Sequence, residues 1–359
     1  MNIFVLNQNF ETVDIIDSYE SVIWTDRYDK YGDFEIYTYF DPKLMLKCRQ
    51  DYYLMTLESE HMMIIEGLAI DSDAESGNHL RITGRSLESI LDRRIVWTQT
   101  SVSGNLQNAL KTLITQSIIN PSIADRAIPN FVFEDSDDPR ITSLTLEAQY
   151  TGDYIYDIVT SACEVNHIGF KITLNDQHQF VFKLYCGEDR SYDQLLNPYV
   201  VFSPSFENII NSNYLDSTEV MKNITLVAGE DEGASRKTLI VGAGTGLTRR
   251  ELFTDARDIQ SEKVTNYNEA LRQRGLEQLA ENARTVSFEG QVEATKMFRY
   301  GEDFGMGDII QIANEYGIEG AARVMEFIHS EDANGVQMYP TFEAIQDIDT
   351  TTTEEIIGG

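Results

Sequence analysis

The feature that most constrains the fold is a close succession of short segments in which apolar and polar residues alternate. In residues 34–40, Phe34, Ile36 and Phe40 fall on one face, which is the period-two pattern of a half-buried strand. Comparable segments, separated by turns, occupy residues 19–26, 52–57, 62–70 and 79–83. Many short strands at this spacing are typical of a β-barrel or a β-sandwich.

The pattern changes after about residue 98. Leu106 and Leu110 begin a series at helical spacing, with Ser103 in position to cap the helix, and a second helix is predicted to start near Asp153. A hairpin is predicted from two further strands, residues 168–174 and 179–185. This stretch is therefore expected to be α+β.

Strand-like segments return from about residue 199. They cover residues 218–228, 237–241, 250–254, 286–293, 308–313, 320–329 and 337–344. One long helix, predicted at residues 262–284, interrupts them and places Leu271, Leu276 and Leu279 on its apolar side. The last residues, 346–359, are rich in Thr and acidic side chains and are expected to form a flexible acidic tail.

The order of these segments predicts a mainly β fold with an α+β insertion. We expect four parts: a first strand-rich domain at residues 1–98, an α+β domain at 99–199, a second strand-rich domain at 200–345 that contains the helix at 262–284, and the tail at 346–359. A chain of 359 residues is long enough for several small domains.

Charge and cysteine content limit the classes of partner. The chain has 28 Lys and Arg against 59 Asp and Glu, a net charge of −31. Such a surface repels nucleic acid and anionic membranes, and it suits a cationic partner or a channel wall that must not hold DNA. Cys48, Cys163 and Cys186 are far apart, which argues against a disulfide framework and for folding in a reducing cytoplasm. We expect neither a signal peptide nor a membrane-spanning segment.

A glycine-rich segment, residues 241–247, invites comparison with dinucleotide-binding loops. Leu247 stands where that fingerprint requires its third glycine, and the residues that follow predict another strand and no phosphate-binding helix. We therefore predict a hairpin loop and no bound dinucleotide.

Four residues of metal-binding type, Cys163, His167, His178 and Cys186, lie within one region of the chain. Their spacing matches no common zinc motif, and a helical position for Cys163 and His167 favours packing in the core. We predict no metal site here.

Two acidic segments could bind calcium. Residues 71–77 loosely resemble a calcium loop, but Ile82 stands at the twelfth position, where a bidentate Glu belongs, so a hairpin turn is favoured. Residues 134–138 are predicted to be a solvated acidic loop. Common hydrolase and protease motifs are also absent from the sequence. The sequence predicts no catalytic, cofactor-binding or metal-binding residue, and no enzyme.

Several segments together resemble the siphophage tail hub family, the N-terminal structural region of tail-associated lysins. The segments that carry the resemblance are residues 22–28, 32–35, 82–94, 185–190, 201–203, 207–210, 222–223, 247–251 and 304–310. The last of them contains Gly305, Met306, Gly307 and Asp308. They occur in the family's order over about three hundred residues. The family is similar in fold to the baseplate hubs of contractile phages and to type VI spike proteins.

The resemblance implies two tail-tube-like β-barrel domains of similar topology per chain, at residues 1–98 and 200–345, plus smaller α+β domains. It implies a homotrimeric structural hub at the tail tip of the virion, made in the host bacterial cytoplasm. That hub would adapt a sixfold tail tube to a threefold tip and close or gate the DNA channel. Its implied partners are the distal tail protein, the tape measure protein and receptor-binding or fibre proteins, with DNA passing without specific binding.

Two other functions remain as alternatives. A cell-wall-binding or cell-wall-degrading tail module would be supported by exposed tryptophans, but Trp24 and Trp97 each lie in a strand-like run and are predicted to be buried. An NAD-dependent enzyme is disfavoured by Leu247.

Overall fold

The computed structural model describes residues 1–73, 77–292, 297–313, 319–344 and 352–355. In the first stretch the strands form where the alternation predicts them, and two more precede them. The elements are β1 (Ile3–Leu6), β2 (Thr12–Ile16), β3 (Ser21–Arg27), β4 (Asp33–Tyr39), the short helix α1 (Pro42–Lys47), β5 (Tyr53–Met55), β6 (Met63–Asp73) and β7 (Gly77–Ser86). A 3₁₀ helix at Leu87–Arg93 ends the stretch.

The α+β insertion follows as predicted. Its elements are β8 (Thr100–Asn105), α2 (Leu106–Ile114), β9 (Phe131–Glu134), α3 (Pro139–Thr142), β10 (Thr145–Tyr150), α4 (Ile155–Asn166), β11 (Gly169–Leu174) and β12 (Phe180–Tyr185). Both predicted helix caps are wrong. Ser103 lies inside β8, so Asn105 caps α2 instead, and the Asp153 carboxylate accepts from the Thr151 N–H rather than capping α4.

The last stretch contains most of the predicted strands and the long helix. Its elements are β13 (Val201–Phe202), β14 (Ile209–Ser217), β15 (Ile224–Ala228), β16 (Thr238–Gly242), β17 (Glu251–Asp255), α5 (Tyr267–Glu281), β18 (Thr285–Val292), β19 (Ile309–Ala313), β20 (Glu319–Asp332), β21 (Gly335–Ala344) and β22 (Thr352–Glu355). The strand predicted at 218–228 is shorter, because a turn separates the end of β14 from the start of β15. No helix in the described ranges is long and apolar enough to cross a bilayer.

One 13-stranded sheet runs through both strand-rich stretches. Its main path is β14-β18-β21-β20-β3-β4-β7-β6-β5-β1-β2, with β19 on β20 and β13 on β19. The two stretches join where β3 pairs antiparallel with β20, from Arg27 opposite Glu326 to Ser21 opposite Asp332. The mainly β fold class with an α+β insertion is confirmed.

The pairing of β3 explains why the described strands form no closed barrel. One edge of β3 bonds to β4 and the other to β20, so neither edge is free to meet β2 and close the first stretch. The hydrogen-bonded path is open, and the two barrels expected from the resemblance are instead two parts of one sheet. The distant β3–β20 contact decides this, and alternation within a strand carries no information about it.

Each strand-rich stretch nevertheless has its own hydrophobic core. The first is mostly aliphatic and includes Ile3, Val5, Val22, Trp24, Phe34, Ile36, Leu54, Met63, Ile65, Leu80 and Ile82. The second is largely aromatic and includes Phe202, Phe288, Phe304, Phe327 and Phe342. Side chains of β1, β6 and the 3₁₀ helix also pack against the core of the insertion. The insertion therefore rests on the outside of the first stretch.

A separate four-stranded sheet, β17-β15-β16-β22, lies within the second stretch under α5. The helix approaches closely at Gly275, where an added Cβ would lie 2.8 Å from methyl groups of Val227 and Val241. The expectation of a flexible tail at 346–359 is corrected for residues 352–355, which pair with β16 as β22 because its edge is open. The other tail residues lie outside the described ranges.

Candidate functional site

Tyr28 follows β3 and lies where the three regions of the chain meet. Only 1% of the residue is exposed. Gly169, at the start of β11, and Gly307, before β19, press on its ring, and an added Cβ would lie 2.3 Å and 2.1 Å, respectively, from the Cε2 atom. Real side chains do not come this close, so only glycine lets the ring lie between the insertion and the second stretch.

Asp308, next to Gly307, links the second stretch to the end of the insertion through hydrogen bonds. Its buried carboxylate accepts from the Glu188 N–H at 2.6 Å and the Gly305 N–H at 2.9 Å, and it pairs with Arg190 Nε at 2.8 Å. Gly187 packs against the backbone of Gly307, where a Cβ would lie 2.0 Å from the carbonyl carbon. We call Tyr28, Gly169, Gly187, Gly307 and Asp308 the junction.

The junction unites three of the segments that carry the family resemblance. Residues 22–28 supply Tyr28, residues 185–190 supply Gly187 and Arg190, and residues 304–310 supply Gly307 and Asp308. These segments are far apart in sequence but in direct contact in the fold. The glycines and the aspartate of these segments therefore have a structural role, because they hold one region of the chain against another.

A buried cluster of charged side chains lies near the junction. His61 Nδ1 is 3.1 Å from Glu88 Oε1, which also accepts from the Ile172 N–H at 2.8 Å. Asp26 accepts from Ser59 Oγ at 2.8 Å. The further members are Tyr300, whose hydroxyl donates to Asp26 at 3.4 Å, and Tyr185, which stacks edge-on against Tyr28. The cluster thus ties β3 to the insertion and to the second stretch.

Burial and mutual charge set the protonation of this cluster. Burial raises the pKa of Asp26 to about 6, despite the opposing effects of His61 and Ser59. Burial alone would lower the pKa of His61, but the carboxylates of Glu88 and Asp26 outweigh it and raise the pKa to about 9. Burial opposes ionisation of Glu88, yet His61 and the hydrogen bonds it accepts hold its pKa below the usual range. At neutral pH the cluster is an ion pair beside a second carboxylate.

The geometry of the cluster suits a structural clamp and not a catalytic centre. Asp26, His61 and Glu88 are buried, so a substrate has no access to them. Ser59 Oγ donates to Asp26 and accepts from the His61 backbone N–H, while the His61 Nδ1 atom faces Glu88, so the serine lacks the basic imidazole partner that a nucleophile needs. His61 Nε2 and Glu88 Oε2 have no partner among the described residues, which is a cost that the rest of the network offsets.

A surface cleft of about 260 Å³ borders Tyr28 and combines acidic and basic walls. Lys30 pairs with Glu164 at 2.9 Å, and burial raises the pKa of Asp29 to about 7. Glu343 lies on the same wall, and burial raises its pKa too. Arg323 balances these acids, so the cleft has no strong preference for either charge.

The four residues considered as a zinc site do not form one. Cys163 is buried on α4, and His167 ends that helix in a left-handed conformation with φ 54°. His178 lies in the β11–β12 turn and its ring packs on Phe10 at 5.2 Å. Within the described ranges no group of three or more His, Cys, Asp or Glu side chains is placed to hold a metal ion.

The acidic loop at residues 134–138 uses its carboxylates separately. Glu134 pairs with Lys183 and Asp135 with Lys111, each at 2.6 Å, while Asp138 caps α3. The possible calcium loop at 71–77 lies partly outside the described residues, and β6 and β7 pair on either side of it as the predicted hairpin requires.

The glycine-rich segment at 241–247 connects β16 to β17, but it is not the hairpin loop that the sequence predicts. β15 lies between those two strands, so the connection crosses over it. Asn223 holds the connection, since its side chain donates to the Thr248 carbonyl at 2.9 Å and accepts from the Arg250 N–H at 2.8 Å. A single 3₁₀ turn at Gly246–Thr248 and then β17 follow, and not the α-helix that would bind a phosphate.

The two tryptophans have opposite environments. Trp24 is fully buried, as predicted. Trp97 is 59% exposed, so the prediction for this residue is wrong. The reason is local: Trp97 lies in no strand but in the connection to β8, just beyond the isolated bridge between Ile95 and Tyr154.

No sequence pattern pointed to His61, Ser59 and Tyr300, because nothing in the order of residues places these three side chains beside Asp26. The glycines of the junction do carry a signal. Gly187 precedes Glu188 and Gly307 precedes Asp308, and the Glu188 N–H donates to the Asp308 carboxylate across the junction. Both glycines lie in segments that carry the family resemblance.

Comparison with solved structures shows a shared fold. A tail protein from Neisseria meningitidis MC58 matches with a TM-score of 0.56 and 12% identity, over 95% of this chain and 96% of that chain. The 43 kDa tail protein of prophage MuSo2 from Shewanella oneidensis matches with a TM-score of 0.59 and 11% identity, over 95% and 98%. A Francisella PdpA–VgrG complex matches with a TM-score of 0.52 and 10% identity, over 98% and 54%.

The sequence itself gives the family. No curated protein sequence matches the chain. The family described as Siphovirus ReqiPepy6 Gp37-like protein matches residues 2–342, which is nearly the whole chain. With the tail-protein fold and the junction built from the resembling segments, this match shows that the chain belongs to the Siphovirus ReqiPepy6 Gp37-like family.

Proposed function

We propose that the chain is a structural tail-tip hub of a tailed phage or prophage. It forms a homotrimer that adapts a sixfold tail tube to a threefold tip and closes or gates the DNA channel. One observation carries the proposal: a single sheet runs through two strand-rich stretches while each keeps its own core. Two strand-rich units in each chain give six units in three chains, which matches the number of units in a sixfold ring.

The junction supports this role because a symmetry adapter needs a fixed spacing between its two units. The β3–β20 pairing and the packing of Gly307 on Tyr28 both resist movement of one stretch against the other. In this proposal residues 1–98 and 200–345 supply the two units. Residues 99–199 form the α+β domain.

The proposed partners follow from the position at the tip of the virion tail. The distal tail protein and the tape measure protein meet the hub at the tube, and receptor-binding or fibre proteins meet it at the tip. DNA passes without specific binding, since a net charge of −31 repels phosphates. The protein is made in the host bacterial cytoplasm and has no catalytic activity of its own.

The native mass tests the trimer. We expect three times the chain mass of 40.8 kDa in sedimentation and threefold rings in negative stain. Three copies of a chain of charge −31 repel one another, so the trimer should become more stable as salt shortens the Debye length to about 10 Å at 0.1 M. A strict monomer at micromolar concentration in every salt would contradict the proposal.

An exposed apolar patch gives the mass measurement a matched pair of variants. Leu195 and Leu196 are 90% and 94% exposed, and the exposed rings of Tyr192 and Tyr199 flank them. If this patch contacts a second copy, the double change Leu195→Asp and Leu196→Asp lowers the native mass. Leu247→Asp, at another fully exposed leucine, should leave it unchanged.

A second candidate function is binding to the host cell wall. The specific observation in its favour is the exposure of Trp97, since exposed tryptophans commonly support sugar binding. It is compatible with the hub, because the same chain can hold a tail together and touch the wall.

A further inference from the structure

Trp97 projects from a rigid backbone. The Val96 N–H donates to the Asp153 carbonyl at 2.9 Å, and the Gly152 N–H donates to the Val96 carbonyl at 2.8 Å. Val96 itself is buried. The indole is therefore 59% exposed because of its fixed position and not because it lies on a loose loop. A large aromatic ring held in a fixed position with much of its surface in solvent can stack on a flat ligand.

Arg126 covers the indole, with its guanidinium carbon 5.1 Å from the ring centroid. Its Nη2 donates to the Ile95 carbonyl at 2.6 Å, and Arg94 Nε donates to the Arg126 carbonyl at 2.7 Å. The two arginines are thus fixed against each other beside one aromatic ring.

Neither of these arginines has an acidic partner in the part of the chain that the structure describes. Among the described residues no carboxylate lies within ion-pair distance of Arg94 or Arg126, although most arginines of this acidic chain are paired, including the neighbouring Arg93 with Asp51. Burial, and then the charges of Arg126 and Arg93, lower the pKa of Arg94. An anion placed here would relieve that repulsion.

Two pockets meet at this point, and Trp97 and Arg126 form the wall that they share. The first, of about 330 Å³, is lined by hydroxyl and amide side chains that include Thr98, Gln116 and Asn120. The second, of about 350 Å³, is lined by Arg93, Arg94 and Arg126 together with the single carboxylate of Asp125. One pocket thus offers neutral hydrogen-bonding groups and the other offers positive charge.

The backbone beside the first pocket is unusual. The segment Thr115–Ile119 is a π-helix, and it closes with the Asn120 N–H donating to the Thr115 carbonyl at 2.7 Å. Such turns are less stable than α-helix and are frequent at functional sites. Here the π-helix brings Gln116 and Ser117 to the pocket wall.

We propose that this surface, the Trp97 site, binds an anionic saccharide. The sugar ring lies on the indole of Trp97 with its hydroxyls at Gln116 and Asn120, and a phosphate or carboxylate of the same molecule lies at Arg94 and Arg126. This proposal gives the wall-binding candidate a ligand class, and it rests on that candidate and not on the hub.

A saccharide fits these observations better than single-stranded DNA. A DNA strand needs a positive track with several stacking rings, whereas this site offers one exposed tryptophan beside two arginines. The pocket volumes suit one or two sugar units.

Tryptophan fluorescence provides a direct measurement, because Trp24 is fully buried and Trp97 is exposed. The probe is N-acetylglucosamine 1-phosphate, compared with N-acetylglucosamine, inorganic phosphate and a short oligo-dT. We expect a saturable change with the sugar phosphate. Binding of the neutral sugar or of phosphate alone should be at least about tenfold weaker, since each lacks one of the two contacts.

The variants separate the two halves of the site. Arg94→Gln and Arg126→Gln should each weaken sugar phosphate binding about tenfold and leave the neutral sugar little changed. Trp97→Phe, followed by calorimetry because it removes the reporter, should weaken both. Arg49→Gln is the matched control, since Arg49 is an exposed arginine that donates to the Leu46 carbonyl and has no acidic partner within the described ranges. It should have no effect.

Each other outcome overturns the proposal. No saturable binding of the sugar phosphate at millimolar concentration, or equal binding by Arg126→Gln in a protein with an unchanged melting temperature, rules out the site. Tighter binding of oligo-dT would assign it to nucleic acid instead. None of these results bears on the trimer, which is measured by mass, so failure of this proposal and failure of the hub are distinguishable.

Discussion

The junction and the Trp97 site each centre on one aromatic side chain, but their surroundings differ. Tyr28 is enclosed by glycines from two other regions, and the nearby Asp308 carboxylate has its partners within the chain. Trp97 is open to solvent, and Arg94 and Arg126 beside it have no carboxylate partner among the described residues. The first arrangement is complete without a ligand and suits a protein that must hold its shape. The second leaves an aromatic ring and two guanidinium groups able to contact a ligand.

This comparison separates positions that serve stability from positions that serve recognition. Substitutions at the junction should lower the free energy of unfolding. Substitutions at the Trp97 site should weaken ligand binding and leave the free energy of unfolding nearly unchanged. The predictions below test that separation, from the largest expected effect to the smallest.

Gly307→Ala should destabilise the protein most, by about 3 kcal/mol or more. The added methyl would collide with the Tyr28 ring at 2.1 Å, in addition to the strain of φ +83°. Gly301→Ala is the control, since Gly301 has φ +82° but open space around it, and we expect about 1 kcal/mol there. Urea unfolding measures both, and equal losses would mean that the contact with Tyr28 is unimportant.

The buried cluster should make the free energy of unfolding fall as the pH rises from neutral to alkaline values. The folded protein holds the His61 proton up to about pH 9, while the unfolded chain releases it near 6.5. The stabilisation is therefore complete below pH 6.5 and is lost as pH rises to about 9, by up to about 3 kcal/mol.

Variants assign this pH dependence to one residue. His61→Gln should remove most of the slope between pH 6.5 and 9 in denaturant unfolding. His329→Gln should keep it, because burial lowers the pKa of His329 to about 4 and the ring is already neutral in this range. A slope that survives in His61→Gln would show that other groups titrate there.

Asp308→Asn should cost about 2 kcal/mol, because Arg190 loses its charged partner and two backbone N–H groups lose a strong acceptor. Asp303→Asn is the control. Asp303 is exposed and accepts from the Arg299 N–H at 2.8 Å, so we expect less than about 1 kcal/mol. Similar losses at both positions would argue against a special role for the junction.

Trp97→Ala should change the free energy of unfolding by no more than about 0.5 kcal/mol, since the indole is mostly exposed. The measurement is again urea unfolding, with acrylamide quenching of the native protein as a check that Trp97 is the accessible tryptophan. A loss above about 2 kcal/mol would show that the ring packs in the folded protein, and it would remove the contrast with the junction.

Much of the local structure was predictable from the sequence. Alternation over residues 34–40 predicted β4, the helical spacing of Leu271, Leu276 and Leu279 predicted α5, and the hairpin of β11 and β12 formed where its turn signals placed it. These predictions succeed because a strand or helix buries one face. Apolar residues then recur every two residues in a strand and about every 3.6 residues in a helix, a pattern that a short stretch of sequence shows.

The tertiary structure alone decided how the pieces combine. Alternation in β3 shows which face is buried, but not that its free edge bonds to β20 some three hundred residues later and prevents a closed barrel. Likewise, Tyr28 and Trp97 are both aromatic residues close to strand-like segments. One is enclosed and the other exposed because only contacts between distant segments determine what covers a side chain.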